Sequence, residues 1–327
     1  MVIQQMPLHA ALHQAAFAVL PDRAFLRISG PDATRWLNGM VTNSAGELRP
    51  GEGNYNFLLN AQGRIQGDGI LYREPGLPGD VSFLLATEAF QLAPLQAHLD
   101  RFIIMDDVEL TPTLEDRSSL LLIGPDAPRL LAGLDLPALD PLRLADADTP
   151  HGPVVLLTPP TGPLPRFELR ANNATLTALQ EHLREVGVSE IPAATLEQLR
   201  LLAAIPRYGT DIRDRELPQE TAQTGALHFN KGCYLGQEIV ERIRSRGQVN
   251  RLFTPLQLHG VLPSTFPTAL ESNGKPVGEI TSAAQIELEH GTELLALGYL
   301  RREVLDGLGA HTPLTYTGGT ATPRSRS

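Results

Sequence analysis

The stretch His228-Phe229-Asn230-Lys231-Gly232-Cys233-Tyr234-Leu235-Gly236-Gln237-Glu238-Ile239-Val240-Glu241-Arg242 holds the single cysteine of a 327-residue chain. Gly232 and Gly236 bracket the thiol, so the backbone there can turn tightly or approach a ligand closely. Downstream, Ile239, Val240 and Ile243 interleave with Glu238, Glu241, Arg242 and Arg244, the spacing of an amphipathic helix. A cysteine on a glycine-rich turn entering a helix has amide N–H groups and a helix dipole at hand to favour its thiolate. The same residue also reads as a small buried hydrophobe, the usual state of a lone cysteine. His228 could serve as its base, or be an ordinary, partly buried strand histidine.

Outward from that stretch the charge changes sign. The chain as a whole carries −10, with 37 acidic and 27 basic residues, which argues against general nucleic-acid binding by the overall field. Yet Lys231, Arg242, Arg244, Arg246 and Arg251 stand close together against only Glu238 and Glu241. This strip is either a solvated helix face, with Glu238 and Arg242 paired one turn apart, or a local site for RNA or an anionic ligand. Chain length predicts two or three domains. A hydrophobic share of 42% with 20% charged residues describes a globular chain, and no apolar run approaches the ~20 residues that span a bilayer. Residues 1–20 show no secretory signal and no arginine, so a cytoplasmic protein is expected. One cysteine excludes an intrachain disulfide and fits a reducing compartment.

Upstream, residues 24–29 predict a strand ending at Gly30-Pro31-Asp32, with Asp32 as N-cap of a helix to about Met40. Residues 54–60 form a strand with Tyr55, Phe57 and Leu59 on one face. Asn60-Ala61-Gln62-Gly63 is a hairpin turn, and 64–72 the returning strand. Asp68 sits in its middle between Gly67 and Gly69. It is a carboxylate left open by neighbours without side chains, or one held at a strand edge by a local hydrogen bond. Residues 81–86 predict a strand and 87–102 a helix with Phe90, Leu95 and Leu99 on its apolar face. Strands at 108–110 and 120–123 complete an order that predicts an α+β sandwich of antiparallel sheets. Residues 125–165 read as a loop-rich, proline-rich connection. A strand at 167–170 and helices at 174–185 and 194–204 follow. The loops at 205–211 and 217–220 expose charges and aromatics, as binding surfaces do. Beyond Arg251, short alternating runs predict a small β-barrel, and residues 315–327 read as a disordered tail.

His9 and His13 share a helical face, but Ala10-Ala11-Leu12 between them lack the glutamate of a zinc-protease helix. No third ligand is evident, so they read as surface histidines. No phosphate-binding loop, dinucleotide fingerprint or Gly-x-Ser-x-Gly elbow occurs.

Leu199-Arg200, Ile205-Pro206-Arg207-Tyr208-Gly209-Thr210-Asp211, Leu217-Pro218-Gln219-Glu220 and the unsubstituted octapeptide Lys231-Gly232-Cys233-Tyr234-Leu235-Gly236-Gln237-Glu238 together carry a family likeness. They resemble the signature of the YgfZ/Iba57-like folate-binding family, whose members are tied to iron–sulfur cluster assembly or repair. Gly30-Pro31-Asp32-Ala33 and residues 51–68 are similar to the aminomethyltransferase (T-protein) of the glycine cleavage system. The resemblance covers nearly the whole chain and is weakest over 125–165. It implies an α+β, aminomethyltransferase-like folate-binding fold of ferredoxin-like subdomains over 1–246, a C-terminal β-barrel over 247–314, and a pterin pocket in a central channel. It also implies tetrahydrofolate or a derivative as ligand, and a transient iron–sulfur cluster to which Cys233 gives one ligand. The implied partners are iron–sulfur assembly proteins or client enzymes, radical-SAM and tRNA-modifying ones among them, with direct tRNA contact a further partner and no membrane.

By position, Asp68 matches the second of two adjacent aspartates in the transferase motif, where an aspartate is catalytic; Gly67 replaces the first. Tyr55 matches a pocket tyrosine, and Tyr208 and Glu220 match the tyrosine and glutamate that line the pterin site. A carboxylate such as Glu220 suits the donor edge of a pterin, and aromatic rings suit its plane. Folate's glutamate tail is expected at Arg242, Arg244 and Arg246, at a pocket mouth beside Cys233, with Lys231 in the same cofactor-binding set. Cys233 is the expected working thiol, whether as cluster ligand, nucleophile or redox group. Two other readings remain: an aminomethyltransferase, and a folate-binding module without catalysis.

Overall fold

A computed structural model describes residues 7–76, 81–113, 117–307 and 314–325. In chain order the first elements are α1 (Pro7–His13), β1 (Ala16–Leu20), β2 (Arg23–Ser29), α2 (Ala33–Met40), β3 (Gly53–Leu59), β4 (Ile65–Arg73), β5 (Ser82–Glu88), α3 (Ala89–Asp100) and β6 (Glu109–Pro112). Next come β7 (Arg117–Ile123), α4 (Ala127–Gly133), β8 (Leu144–Thr149), β9 (Gly152–Leu157), β10 (Arg166–Asn172), α5 (Asn173–Glu185), β11 (Ser189–Glu190) and α6 (Ala193–Leu202). A loop-rich stretch leads to α7 (Gln237–Arg246). The last elements are β12 (Arg251–Gly260), β13 (Thr268–Ser272), β14 (Lys275–Leu288), β15 (Gly291–Arg301), α8 (Arg302–Gly307), β16 (Leu314–Tyr316) and β17 (Gly319–Pro323).

Two-residue alternation builds two sheets that are apolar on both faces. In β2, Ala24, Leu26 and Ile28 pack beneath α2 and α3 with Trp36, Leu37, Leu95 and Leu99. Phe25 points the other way, toward Ile70, Tyr72, Leu84, Leu144 and Leu157. The first sheet runs β3-β4-β5-β2-β6 and the second β11-β1-β7-β10-β9-β8. The second is covered by α4 and α5, whose Leu131, Leu176, Leu179 and Leu183 meet Phe17, Leu120, Leu122 and Leu169. The layers are therefore helix, sheet, sheet, helix, the α+β sandwich expected. Pairings are antiparallel save β1 with β11. Each fully buried leucine contributes about 1.5–3 kcal/mol.

The C-terminal strands close a barrel in the order β12-β15-β14-β13-β16-β17. The helices α1 and α6 tie it to the sandwich: Leu8, Ala11, Leu199 and Leu201 pack with Phe253, Ile286, Leu295, Leu297 and Tyr299.

Four expectations are corrected. Residues 125–165 hold a helix and two paired strands, β8 and β9, because the prolines sit at their ends and in the connecting turns. Of residues 315–327, the described 315–325 are not a tail: β16 and β17 pair with each other, and β17 pairs with β12, which closes the barrel; residues 326–327 lie outside the described residues. The strand β5 runs through Glu88, so α3 begins only at Ala89, and Phe90 turns outward, 54% exposed. The Asp32 side chain makes no cap bond within α2; its Oδ2 accepts from the Asp107 amide at 2.9 Å instead.

Candidate functional site

The hairpin of β3 and β4 carries the first part of the site. Phe57 faces Asp68 and Leu58 faces Gly67, but Leu59 faces Ile65, so Gln66 is the extra residue of a bulge. Tyr55 and Asp68 lie on one face. The Tyr55 hydroxyl donates to Asp68 Oδ2 at 2.6 Å, and Gln91 Nε2 from α3 donates to Oδ1 at 2.9 Å. Burial raises the Asp68 carboxyl above its ordinary range, against the lowering effect of these two donors. Of the two readings of Asp68, the carboxylate held by hydrogen bonds is the one found, and Gly67 and Gly69 do not uncover it. A Cβ on Gly67 would stand 2.5 Å from Leu95 of α3, and one on Gly69 would stand 2.7 Å from Leu85. These glycines make room on the opposite face of the sheet.

Asp68 and Tyr55 open into a cavity of about 760 Å³, enclosed by the two sheets, α6 with the loop after it, and the barrel side of the molecule. Tyr208 is a third expected residue in its wall. Its hydroxyl donates to the Gln66 carbonyl freed by the bulge, at 2.8 Å, and its ring stacks on Phe90 with centroids 6.2 Å apart. The cavity also holds Arg207, from the loop read as a binding surface, and charges that sequence reasoning missed: Glu88, Glu168, Arg23, Arg166 and Arg324. Glu168 is buried and takes two bonds from Arg23 Nε, at 3.0 and 3.1 Å. Burial raises Glu88, and the nearby Asp68 adds to that shift while Arg207 opposes it. Burial lowers Arg166, whose Nη2 donates to the Pro160 carbonyl at 2.9 Å and whose Nε has no partner among the described residues. Arg324 Nη2 donates to the Leu202 carbonyl at 3.0 Å.

The octapeptide grips the other side of the same hairpin. Gly236 has φ +81°, and a Cβ there would lie 2.5 Å from the Asn60 carbonyl oxygen and 3.0 Å from Gly63 Cα. Gly63, at φ +69°, is pressed in turn against Ile239 of α7. Both positions need glycine for its left-handed backbone as well as for space. Lys231 Nζ donates to the Val41 and Asn43 carbonyls, both at 2.6 Å. Burial pushes its amine down to about 7. The Leu235 amide donates to the Gly39 carbonyl at 3.0 Å and the His228 amide to the Thr42 carbonyl at 3.1 Å. The segment after α2 is thus zipped to the cysteine loop, and its Asn43 lines the cavity.

Cys233 itself is exposed and is not among the cavity-lining residues. It lies before the Gly236 cap, outside the first turn of α7 where a helix dipole acts. His228 does not lie in a strand, and its Nε2 meets Glu47 at 3.3 Å. Four expected binding residues stand outside the cavity wall: Lys231, whose amine is taken up by the Val41 and Asn43 carbonyls, and Glu220, Arg242 and Arg244. The Glu220 carboxylate accepts from the Leu217 amide at 3.0 Å and from Arg251 Nε at 3.2 Å. Arg242 and Arg244 are exposed on α7, with Arg244 over the Phe229 ring at 4.4 Å and 3.5 Å from Glu241. Arg246 has its side chain outside the described set. The guanidinium groups in the cavity wall come instead from β2, β10, α6, the loop after it and the chain just beyond β17.

Comparison with known proteins bears on the family and the fold. The model of the GCVT N-terminal domain matches residues 23–231. An aminomethyltransferase of Rubrobacter xylanophilus is 30% identical over 260 residues, 77% of this chain and 68% of that protein. An iron-sulfur cluster assembly factor IBA57 homolog, mitochondrial, of Pyricularia oryzae is 28% identical over 248 residues, 75% of this chain; the match spans 58% of that protein's length. The crystal structure of the glycine cleavage system aminomethyltransferase T from Bartonella henselae superposes with a TM-score of 0.84 at 22% identity, covering 98% of this chain and 87% of that one. The fold is thus that of the aminomethyltransferase, barrel included.

Proposed function

We propose, for a chain that belongs to the family of the GCVT N-terminal domain, that it binds tetrahydrofolate or a derivative in the central cavity and acts as an accessory factor in iron–sulfur cluster assembly or repair. Cys233 is its working thiol. One observation carries this reading. The octapeptide commits Lys231 and Leu235 to holding its loop on the end of α2 and the segment after it, and Gly236 to the turn of the Asp68 hairpin, yet leaves the thiol exposed and outside the cavity. A thiol so placed meets a partner protein or a cluster rather than a ligand within the cavity. The cluster is cargo: one thiolate holds one ligand position and partner proteins supply the rest.

The cavity residues fit a folate. Its volume of about 760 Å³ falls in the ~300–1,000 Å³ range of small-molecule sites. Asp68 and Glu88 present carboxyls to a donor edge, and Tyr55 and Tyr208 offer ring faces. Arg166, whose Nε has no partner among the described residues, and Arg324 offer cations to a glutamate tail. Tyr55 and Gln91 fix the Asp68 carboxyl in one orientation. Its raised pKa lets it keep a proton to higher pH than an ordinary aspartate, so it can donate to a ring nitrogen as well as accept from one. Tetrahydrofolate, when bound, supplies a carrier of one-carbon units.

The proposed clients are radical-SAM enzymes, tRNA-modifying ones among them. Exposed Arg242 and Arg244 form the surface on which an acidic partner or tRNA would sit. The Pyricularia oryzae relative is named mitochondrial; a single cysteine fits a reducing compartment such as the cytoplasm. No helix among the described residues is long and apolar enough to cross a membrane.

A second reading, an aminomethyltransferase, is favoured by the place of Asp68 in the cavity wall. The position beside it holds Gly67, which faces α3. Formation of methylene-tetrahydrofolate from an aminomethyl-lipoyl carrier would establish that reading. Calorimetric titration of tetrahydrofolate tests the first. Wild type and Cys233→Ala should bind alike, and Asp68→Asn at least tenfold more weakly. Absence of binding to the wild type, or a loss confined to Cys233→Ala, would refute it.

A further inference from the structure

Helix α1 sets His9 and His13 one turn apart on one face, with ring centroids 4.4 Å apart. The sequence around them offers no third ligand, but the fold brings one from far along the chain. Glu289, in the turn between β14 and β15, places Oε1 3.3 Å from His9 Nε2 and 3.7 Å from His13 Nε2. One ligand atom from each of the three residues lies within 4.8 Å of the others. We propose that His9, His13 and Glu289 form a site for a divalent transition-metal ion of the zinc type, which clips the N-terminal helix to the barrel.

The chemistry and spacing both fit. Zinc takes imidazole nitrogen and carboxylate oxygen at about 2.0–2.2 Å, so neighbouring ligands of a tetrahedral ion stand about 3.4 Å apart. The two observed nitrogen-to-oxygen distances bracket that value. His9 Nδ1 is buried without a partner among the described residues, so the polar contacts of that ring lie on the Glu289 side. The side chain of His9 is 13% exposed, while those of His13 and Glu289 are 48% and 65% exposed. The site is therefore anchored within and open to solvent, which leaves room for a water as fourth ligand. The soft-thiolate alternative is missing here, and the two nitrogens with one oxygen select zinc, nickel or copper over magnesium or calcium.

The position gives the ion a structural consequence. Leu12, beside His13, and Leu288, beside Glu289, both line the central cavity. An ion held by their neighbours fixes the cavity wall where α1 meets the barrel hairpin.

Zinc chloride titrated calorimetrically into the metal-freed full chain tests this, in a Cys233→Ala background that removes the exposed thiol as a competing ligand. His13→Ala, Glu289→Gln and His290→Ala are compared, with circular dichroism checking that each is folded. His290 adjoins Glu289 but bonds Glu293 at 2.7 Å. We expect one zinc per chain, at least tenfold weaker binding in the first two variants, and affinity within twofold in His290→Ala. Zinc should raise the melting temperature only where it binds. No uptake by the parent chain, or unchanged affinity in both His13→Ala and Glu289→Gln, would overturn the site and leave these residues as an imidazole–carboxylate ion pair.

Discussion

The hairpin that carries Tyr55 and Asp68 was legible from strand alternation and its turn, while the two residues' place in the site was legible only through the family resemblance. Tyr208 was legible as an aromatic on an exposed loop. Glu168, Arg23 and Arg166 were not. They alternate with Phe167, Leu169 and Ala24 as solvent-facing charges would, and nothing local says that a second sheet covers them. Glu220 failed for the converse reason: its partner Arg251 lies in the barrel. Tyr55→Phe removes a 2.6 Å bond to a carboxylate, and should cost about 1.5–3 kcal/mol at neutral pH. That bond holds the Asp68 pKa down, so the loss should shrink in acid as Asp68 is protonated; urea denaturation at two pH values reads it. Lys231 has its pKa depressed to about 7 in the folded chain, whereas the unfolded chain keeps the proton to about pH 10.4. Its contribution to stability is complete above the unfolded value and lost as pH falls toward 7. Stability should therefore rise with pH across that window, and Lys231→Met should flatten the slope.

At the scale of elements, the interlock of the β3–β4 turn with the start of α7 positions the site. The two glycines in it were visible as turn residues, but their mutual contact was not, since nearly the whole sandwich lies between them in sequence. Gly236→Ala meets both an unfavourable φ of +81° and a clash with the Asn60 carbonyl. It should cost about 2–3 kcal/mol, while Gly232→Ala, with nothing nearer its Cβ than Asn38 Nδ2 at 3.9 Å, should cost under about 1 kcal/mol. Thermal unfolding of the pair separates them. Composition misled most where elements are short. Proline-rich residues 125–165 and Thr/Gly-rich 315–327 lack long periodic runs, yet β8, β9, β16 and β17 form because neighbouring strand edges need partners.

Across the whole molecule, the barrel is more than an appendage to the sandwich. Its last strand seals it against β12, and Arg324 just beyond reaches the cavity. Deleting residues 314–327 should leave the β12 edge unpaired over Leu256–Gly260, lower the melting temperature by at least about 5 °C and weaken folate binding through the loss of Arg324. The larger claim is a division of labour: a cavity between sheets for the folate, and an exposed thiol on a locked loop for partners. Its most direct test is the activity of a 4Fe–4S enzyme in cells lacking their own member of this family, supplied with wild type or with Cys233→Ala at equal expression. Wild type should restore activity, and Cys233→Ala should restore none above the empty vector while binding tetrahydrofolate normally. Equal rescue by the two proteins would contradict it.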